Sequence, residues 1–325
     1  MGIRNLNRHL RDNCPDSIRC INMVDLSGKR IAVDISIYLY KYESENALLE
    51  NMYVMLSIFR HYNIIPIFIF DGKPPPEKKA LLIKRKENRE EAKEEYEKLK
   101  HQLDNKETDD SEKHDIIASM DQLKKQFVQI NKEKIETVKS LIRAYGATYY
   151  DAPGEADELC ALLVIKKKVW ACLSEDMDLF VYGCSRVLRY FSLLGHSAVM
   201  YYMKGILDEL QMTQTDFKEV CILSGTDYNI NADGNNDKIN LRLTFKHFRK
   251  FKNSNNNNMN FYDWLTEHTD YISDMDLLIK INQIFNLDSD RKNLDAFNNI
   301  KIINGPIIQD EIEKIMEDED FIFCK

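Results

Sequence analysis

No stretch of this 325-residue chain approaches the roughly 18 consecutive apolar residues that a membrane span requires. The longest apolar runs, 64–70 and 159–165, are seven residues each. The N-terminus, MGIRNLNRHLRDN, has no apolar core of the kind a signal peptide needs, and Leu6 stands where a myristoylation motif needs Ser or Thr. No membrane partner is therefore expected. The seven cysteines (14, 20, 160, 172, 184, 221, 324) form no CxxC pair, and the seven histidines no HxxxH pair. That argues against a disulfide framework and against zinc, haem or iron–sulfur sites, and for a reducing, intracellular compartment. Any metal would have to be held by carboxylates, which favour a hard cation. An excess of basic charge is missing too: 45 Lys and Arg face 53 Asp and Glu, a net charge of −8. On its own that argues mildly against a nucleic-acid partner.

What is present is an ordinary globular composition, 44% hydrophobic and 30% charged. RIAVD (30–34), IPIFIFD (65–71), ATYYD (147–151) and VWACL (169–173) are short β-branched and aromatic runs separated by helical stretches. Such alternation predicts an α/β fold, a mostly parallel central sheet with helices on both faces. Runs at 187–191 and 198–202, with a turn at Gly195 and His196, are expected to extend it. Residues 84–139 are rich in Lys, Glu and Gln and hold no Pro or Gly, which predicts long exposed helices, broken near 105–111, projecting from the body. After Asp227 the chain turns Asn-rich and helical, with a low-complexity NSNNNN loop at 253–258 and an acidic MEDED at 316–320. The expected division is an α/β region at 1–83 and 140–228, a helical insertion at 84–139 and a helical region at 229–325.

Three predicted strands end in, or run directly to, an aspartate: Asp34, Asp71, and Asp176 with Asp178 beyond. In parallel sheets ligand sites form at the carboxyl ends of strands. Glu155 and Asp157 follow Pro153-Gly154 at a helix start. Each acid alone reads well as a turn residue or helix cap. Together, so many like charges converging on one sheet edge require cations, as in two-metal phosphodiester hydrolysis with Mg²⁺ or Mn²⁺.

MGIRNL at the start, VDIS around Asp34, FDGKPP at 70–75, DAPGEADELCA at 151–161, SEDMDLFVYG at 174–183 and CILSGTDY at 221–228 together resemble the flap endonuclease/XPG-type 5′-nucleases, in family order. The resemblance implies a PIN-like 5′-nuclease fold with a helical arch at 84–139 and a C-terminal DNA-binding region. It implies that Asp34, Asp71, Glu155, Asp157, Asp176, Asp178 and Asp227 hold two metal ions. Where the family commonly has a second Glu, this chain has Asp157, as the 5′-exonuclease branch does. Lys78 and Arg85 fall on the positions whose cations approach the scissile phosphate, and the arch is where a 5′ single strand would pass.

Basic residues give this substrate a place to bind. Residues 73–89 carry seven cations against Glu77 and Glu87, although most of them read equally well as a solvated helix face. Tyr38 and Tyr40 follow Asp34, and one could stack on the nucleotide beside the cut. Small Gly2 is compatible with an N-terminus near the active site, as in the family. Leu241, Phe245 and Phe248 form an apolar stripe beside a basic one, Arg242, Lys246 and Arg249, in the region where the family grips duplex phosphates through a helix-two-turn-helix. The family's Gly-x-Gly turn is replaced by NINADGNNDKIN (229–240), which argues against a bound potassium ion.

The function so expected is Mg²⁺-dependent, structure-specific cleavage of DNA with a 5′ flap, free 5′ end or junction. Such an enzyme serves replication or repair, in the nucleus or another site of DNA replication. A 5′→3′ exonuclease, an RNA-directed 5′-nuclease and a non-catalytic junction-binding relative are the alternatives. The end, DEDFIFCK, has no sliding-clamp box, and a monomer is expected.

Overall fold

The computed structural model describes all residues except 1, 105–109, 230–238, 255–258, 288–296, 298, 318–320 and 322–325, and the side chains of 104 and 110–115. The elements run α1 (Leu6–Asn13), β1 (Ile18–Asn22), β2 (Arg30–Asp34), α2 (Ile35–Ser44), α3 (Leu48–His61), β3 (Ile65–Phe70), α4 (Lys79–Asp104) and α5 (Asp110–Lys124). They continue with α6 (Lys132–Ala144), β4 (Thr148–Asp151), α7 (Ala156–Ile165), β5 (Ala171–Leu173), α8 (Asp178–Val181), β6 (Arg186–Ser192) and β7 (Ser197–Tyr202). The helices α9 (Met203–Leu210), α10 (Gln214–Ser224), α11 (Leu241–Asn253), α12 (Phe261–His268), α13 (Met275–Ile284) and α14 (Gln309–Glu317) complete the order.

One sheet of seven strands, ordered β1-β7-β6-β5-β2-β3-β4, organises the chain. From β4 to β6 every neighbouring pair is parallel, whereas β7 runs antiparallel to both β6 and β1. The interior strands read as continuous apolar runs because both faces are covered. Ala32, Ile67, Ile69 and Cys172 point into one core with α1, α7 and α10, while Ile31, Val33, Phe68 and Leu173 point into another with α2, α3, α6 and α14. The direction of progression reverses between β2, which leads outward to β3 and β4, and β5, which leads outward to β6. That reversal opens a crevice at the carboxyl ends of the parallel strands.

Strand β1 had no clear sequence signal. It is an edge strand whose side chains are mostly outside the core, so it lacks the apolar run that marks the others. The charged segment also divides differently from its composition. α4 and α5 form the projecting pair, but α6, capped by Asn131, buries Val138, Leu141 and Ile142 against the sheet. Only the part before Lys132 stands away from the core. Helix α4 has no broad apolar face. Its side-chain contacts include an i,i+4 pair, Lys86–Glu90, and an edge-on contact of Tyr96 with Phe127. Among the described residues, no helix is long and apolar enough to cross a membrane.

Candidate metal centre and nucleic-acid interface

All seven predicted acids lie at the carboxyl edge of the sheet or in the loops beside it, and the chain's local chemistry fixes several of them. Asp34 is the last residue of β2 and accepts a hydrogen bond from Ser174 Oγ at 2.8 Å. Asp71, directly after β3, accepts from the backbone N–H of Ala156 at 2.8 Å and from the Ser36 hydroxyl. Glu155 caps α7 and accepts from Lys78 Nζ and, at 2.6 Å, from the Tyr228 hydroxyl. Asp157 is buried in the first turn of the same helix, where a negative charge suits the helix dipole. The loop after β5 is laced internally: Asp176 N–H donates to Ser174 Oγ at 3.0 Å, and Asp178 N–H to Asp176 Oδ1 at 3.0 Å. Asp227 follows α10 on a turn held by Asn229, whose side chain accepts from the Thr226 hydroxyl at 2.8 Å and donates to the Ile222 carbonyl at 2.8 Å.

Gly2 completes the enclosure. A Cβ there would come within 2.6 Å of Asp176 Oδ1, and φ is +71°, so no side chain fits between the N-terminal segment and the acids.

Electrostatically the cluster is frustrated without counter-ions. Burial, and then the charge of Asp71, pushes the Asp34 carboxyl up to about 8. Asp157 and Asp178 are raised well above the carboxylate range by burial first and neighbouring acids second, and Asp176 is raised by burial. Burial alone would depress the Lys78 ammonium, but Glu155, Asp157 and Asp227 outweigh it and hold the group charged. Lys78 Nζ is 3.7 Å from Asp227 Oδ2, and Arg85 Nη2 is 2.9 Å from the same oxygen. Two side-chain cations thus lean on the acids.

Among the described residues, no group of three or more carboxylates, histidines or cysteines is already closed around one point as a metal cage. The donor set nevertheless fits a hard cation. It is all oxygen, and Asp178 Oδ1 is buried with no hydrogen-bond partner. An orphaned carboxylate oxygen inside a cluster of acids is a position that a divalent ion would satisfy.

The acids open into a cavity of about 690 Å³. Asp34, Asp71, Glu155, Asp157, Asp176 and Asp227 line it, together with Leu82, Arg85 and Arg89 of α4 and with Lys125, Gln126 and Val128. Tyr40 is half exposed and sits on the rim. Tyr38 is not available to a nucleotide. It is 2% exposed, its ring packed on Tyr42 and Phe191, because position 38 of α2 faces the sheet. Of the two tyrosines proposed for stacking, only Tyr40 faces the site.

Arg242, Lys246 and Arg249 share the exposed face of α11, over a buried stripe of Leu241, Phe245 and Phe248. They do not line the acid cavity. The turn expected to lack a potassium site lies mainly outside the described residues, as does the end of the chain searched for a clamp box. Ser36, Ser174 and Tyr228 were not anticipated as parts of the site. Their only sequence signal is adjacency, since each stands within two residues of an acid in the motifs VDIS, SEDMD and SGTDY.

Residues 1–92 match the family model of the XPG N-terminal domain, and residues 146–227 that of the XPG I-region, together more than half of the chain. The chain belongs to the flap endonuclease/XPG family. The two matched blocks contain all seven acids and omit most of the projecting helical pair. Over 246 residues the chain is 32% identical to flap endonuclease 1 of Glossina morsitans morsitans, covering 70% of this chain and 61% of that protein. It therefore spans about three-fifths of that relative's length. Among solved structures, flap endonuclease-1 from Methanococcus jannaschii superposes with a TM-score of 0.62 at 22% identity, over 96% of this chain and 93% of that one. The catalytic core of Rad2 in complex with a DNA substrate does so with a TM-score of 0.61 at 20% identity, over 98% and 94%. The fold is thus shared with these nuclease cores over nearly the whole chain.

Proposed function

We propose that this protein is a divalent-metal-dependent, structure-specific 5′-nuclease that hydrolyses a DNA phosphodiester near a junction of single strand and duplex. One observation carries the reading: an all-carboxylate cluster, with Asp34, Asp157 and Asp178 buried and one oxygen unsatisfied, opens into a cavity that Arg85 and Arg89 of the projecting helical pair also line. The Rad2 core, described with a DNA substrate, has the same fold, which supports a nucleic-acid ligand.

Asp34, Asp71, Glu155, Asp157, Asp176, Asp178 and Asp227 would hold two Mg²⁺ ions, with Mn²⁺ able to substitute. When bound, such ions supply Lewis-acid stabilisation of phosphate oxygens and lower the pKa of nearby water. The chain's own cations do the rest. Lys78 and Arg85 now lie against Glu155 and Asp227 and are within reach of a phosphate entering the cavity. There they would stabilise charge developing on its non-bridging oxygens. Tyr40 on the rim offers a face on which the base next to the cut can stack. Leu82, Arg85 and Arg89 of α4, with Lys125, Gln126 and Val128, line the side of the cavity along which a single strand would pass, and the exposed cations of α11 would meet duplex phosphates without reading base edges.

A 5′→3′ exonuclease is the second reading, favoured by Asp157, where the family commonly has Glu. One assay separates the possibilities: a 5′-flap, a nicked duplex and an RNA flap compared in Mg²⁺, with product lengths resolved. Cleavage of the flap at the junction in one cut supports the endonuclease. Stepwise loss of nucleotides from the nick supports the exonuclease, and preferred cutting of the RNA flap redirects the substrate class. Binding with no product from any of the three would make the protein a junction binder and overturn the reading. Action on replication or repair intermediates at sites of DNA synthesis follows if the endonuclease result holds.

A further inference from the structure

Strand β6 is interrupted between Arg189 and Ser192, where its register with β7 shifts. Within the interruption Tyr190 has φ +56°, a left-handed conformation uncommon for an aromatic residue. Strain of this kind persists only where surrounding contacts over-determine it, and bulges of this kind re-aim side chains. Tyr190 N–H donates to the Glu175 carboxylate, and Asn7 Nδ2 donates to the Tyr190 hydroxyl at 2.8 Å. The side chain so aimed is Arg189, a guanidinium only 6% exposed. It donates to Asn7 Oδ1 at 2.7 Å and to the Glu175 carbonyl at 2.9 Å, and its Nε stands 3.4 Å from the Glu175 carboxylate.

Both ends of this strut lead to the acids. Glu175 immediately precedes Asp176 in the loop that carries Asp178. Asn7 lies on α1, and Gly2, just before that helix, is packed against Asp176 and Asp178. A buried guanidinium is costly unless it is fully paired. Here both Nη groups donate, one to the acid loop and one to the element that closes over it, while Nε makes no hydrogen bond and is offset only by the nearby Glu175 carboxylate.

We propose that Arg189 is a positioning residue: from the β6 bulge it holds the 174–178 loop and α1 together, and so sets Asp176 and Asp178 for the metal ions. The inference rests on the metal-dependent reading above. Residues that orient metal ligands from outside typically contribute about 10–100-fold to metal affinity or activity. The loss should therefore appear in metal affinity before it appears in DNA binding.

The test is Mn²⁺ calorimetry on the full chain without DNA, beside Mg²⁺ titrations of flap cleavage. The proteins are wild type, Arg189→Met, Arg189→Lys and Glu175→Gln. Arg189→Met should weaken Mn²⁺ binding about tenfold or more and raise the Mg²⁺ concentration for half-maximal cleavage in parallel, with flap affinity in Ca²⁺ nearly unchanged. Arg189→Lys should recover part of the loss, because an ammonium can reach one partner but not fork between two. Glu175→Gln keeps the backbone carbonyl contact and removes only the carboxylate, so it should cost a few-fold and stands in if Arg189→Met does not fold. Mn²⁺ affinity within twofold of wild type in both Arg189→Met and Glu175→Gln, with only the melting temperature lowered, would reduce Arg189 to a packing residue and overturn the inference. A wild type that binds no Mn²⁺ at all would fail earlier, at the metal reading itself.

Discussion

The acid cavity and the α11 surface use charge in opposite ways. In the cavity most of the acids are held in place. Asp34, Asp157 and Asp178 are buried, Glu155 is held by a tyrosine and a lysine, and Lys78 is itself nearly buried. On α11 the cations are exposed, and only their apolar neighbours are fixed. On the proposed function, the difference follows from what each region would do. Stabilising charge at one phosphate needs donors and acceptors placed in advance in a water-poor site. Gripping duplex phosphates needs only counterion release, which tolerates mobile side chains and is paid back at any register.

The contrast can be broken most sharply at Asp178. Asp178→Asn should keep the fold and most DNA affinity yet lose cleavage by more than about 10³, beyond the 10²–10³ of a single donor aimed at transition-state charge. Cleavage of a 5′-flap within a few-fold of wild type in Mg²⁺ would remove Asp178 from the metal set. Arg85→Ala comes next, slowing saturated single-turnover cleavage about 10²–10³-fold with a smaller loss of binding. Equal losses in binding with an intact saturated rate would make Arg85 a phosphate anchor, and the cavity would then behave like the α11 surface. For α11 itself, Arg242→Ala/Lys246→Ala should lower the slope of log K against log salt by about 1.8 and weaken duplex binding regardless of sequence. Titrations in matched KCl and NaCl, with Ca²⁺ in place of Mg²⁺, should coincide. A preference for potassium would reveal an ion site in the altered turn, and an unchanged slope would return the stripe to a solvated helix face.

The smallest expected effect lies under α11. Glu219 of α10 is pushed up to about 7 by burial first and then by Asp216 and Asp263. A carboxyl raised on folding binds its proton more tightly in the native state, so stability falls as pH rises from about 4.5 to about 7. Glu219→Gln should remove that loss, raising the melting temperature by about 2–4 °C at pH 8 and hardly at all at pH 5. A stabilisation equal at both pH values would show that the gain comes from packing rather than from the proton.

Most of the nuclease half was legible because parallel strands write themselves as unbroken apolar runs, and the residue that ends such a run marks the ligand edge. Asp34 and Asp71 could be placed by that rule alone. Asp227 could not: it lies in the turn after a helix, and only the family motif distinguishes it from any other loop acid. Tyr38 and Tyr40 are two residues apart, a spacing that on a helix sends side chains to different faces, but nothing local says which face meets the cavity. The supports Ser36, Ser174 and Tyr228 escape for a different reason. A hydroxyl becomes part of a site only through a partner brought near by the fold, 140 residues away in the chain for Ser174 and Asp34. The Arg189 strut is illegible in the same sense, since its bulge leaves no composition signal in RVLRYFS.

The return of the C-terminal segment to the sheet has a consequence for synthesis. Gly305 N–H donates to the Gly146 carbonyl at 2.7 Å, and beyond it α14 buries Ile312 and Met316 in the core shared with α2, α3 and α6. A chain emerging from the ribosome at about 5–20 residues per second cannot complete that core until residue 316 has appeared. The floor of the cavity rests on strands that border this core. Newly made protein should thus gain its acid geometry late and all at once, and a nascent chain stalled before α14 should carry every acid yet remain a poor binder of metal.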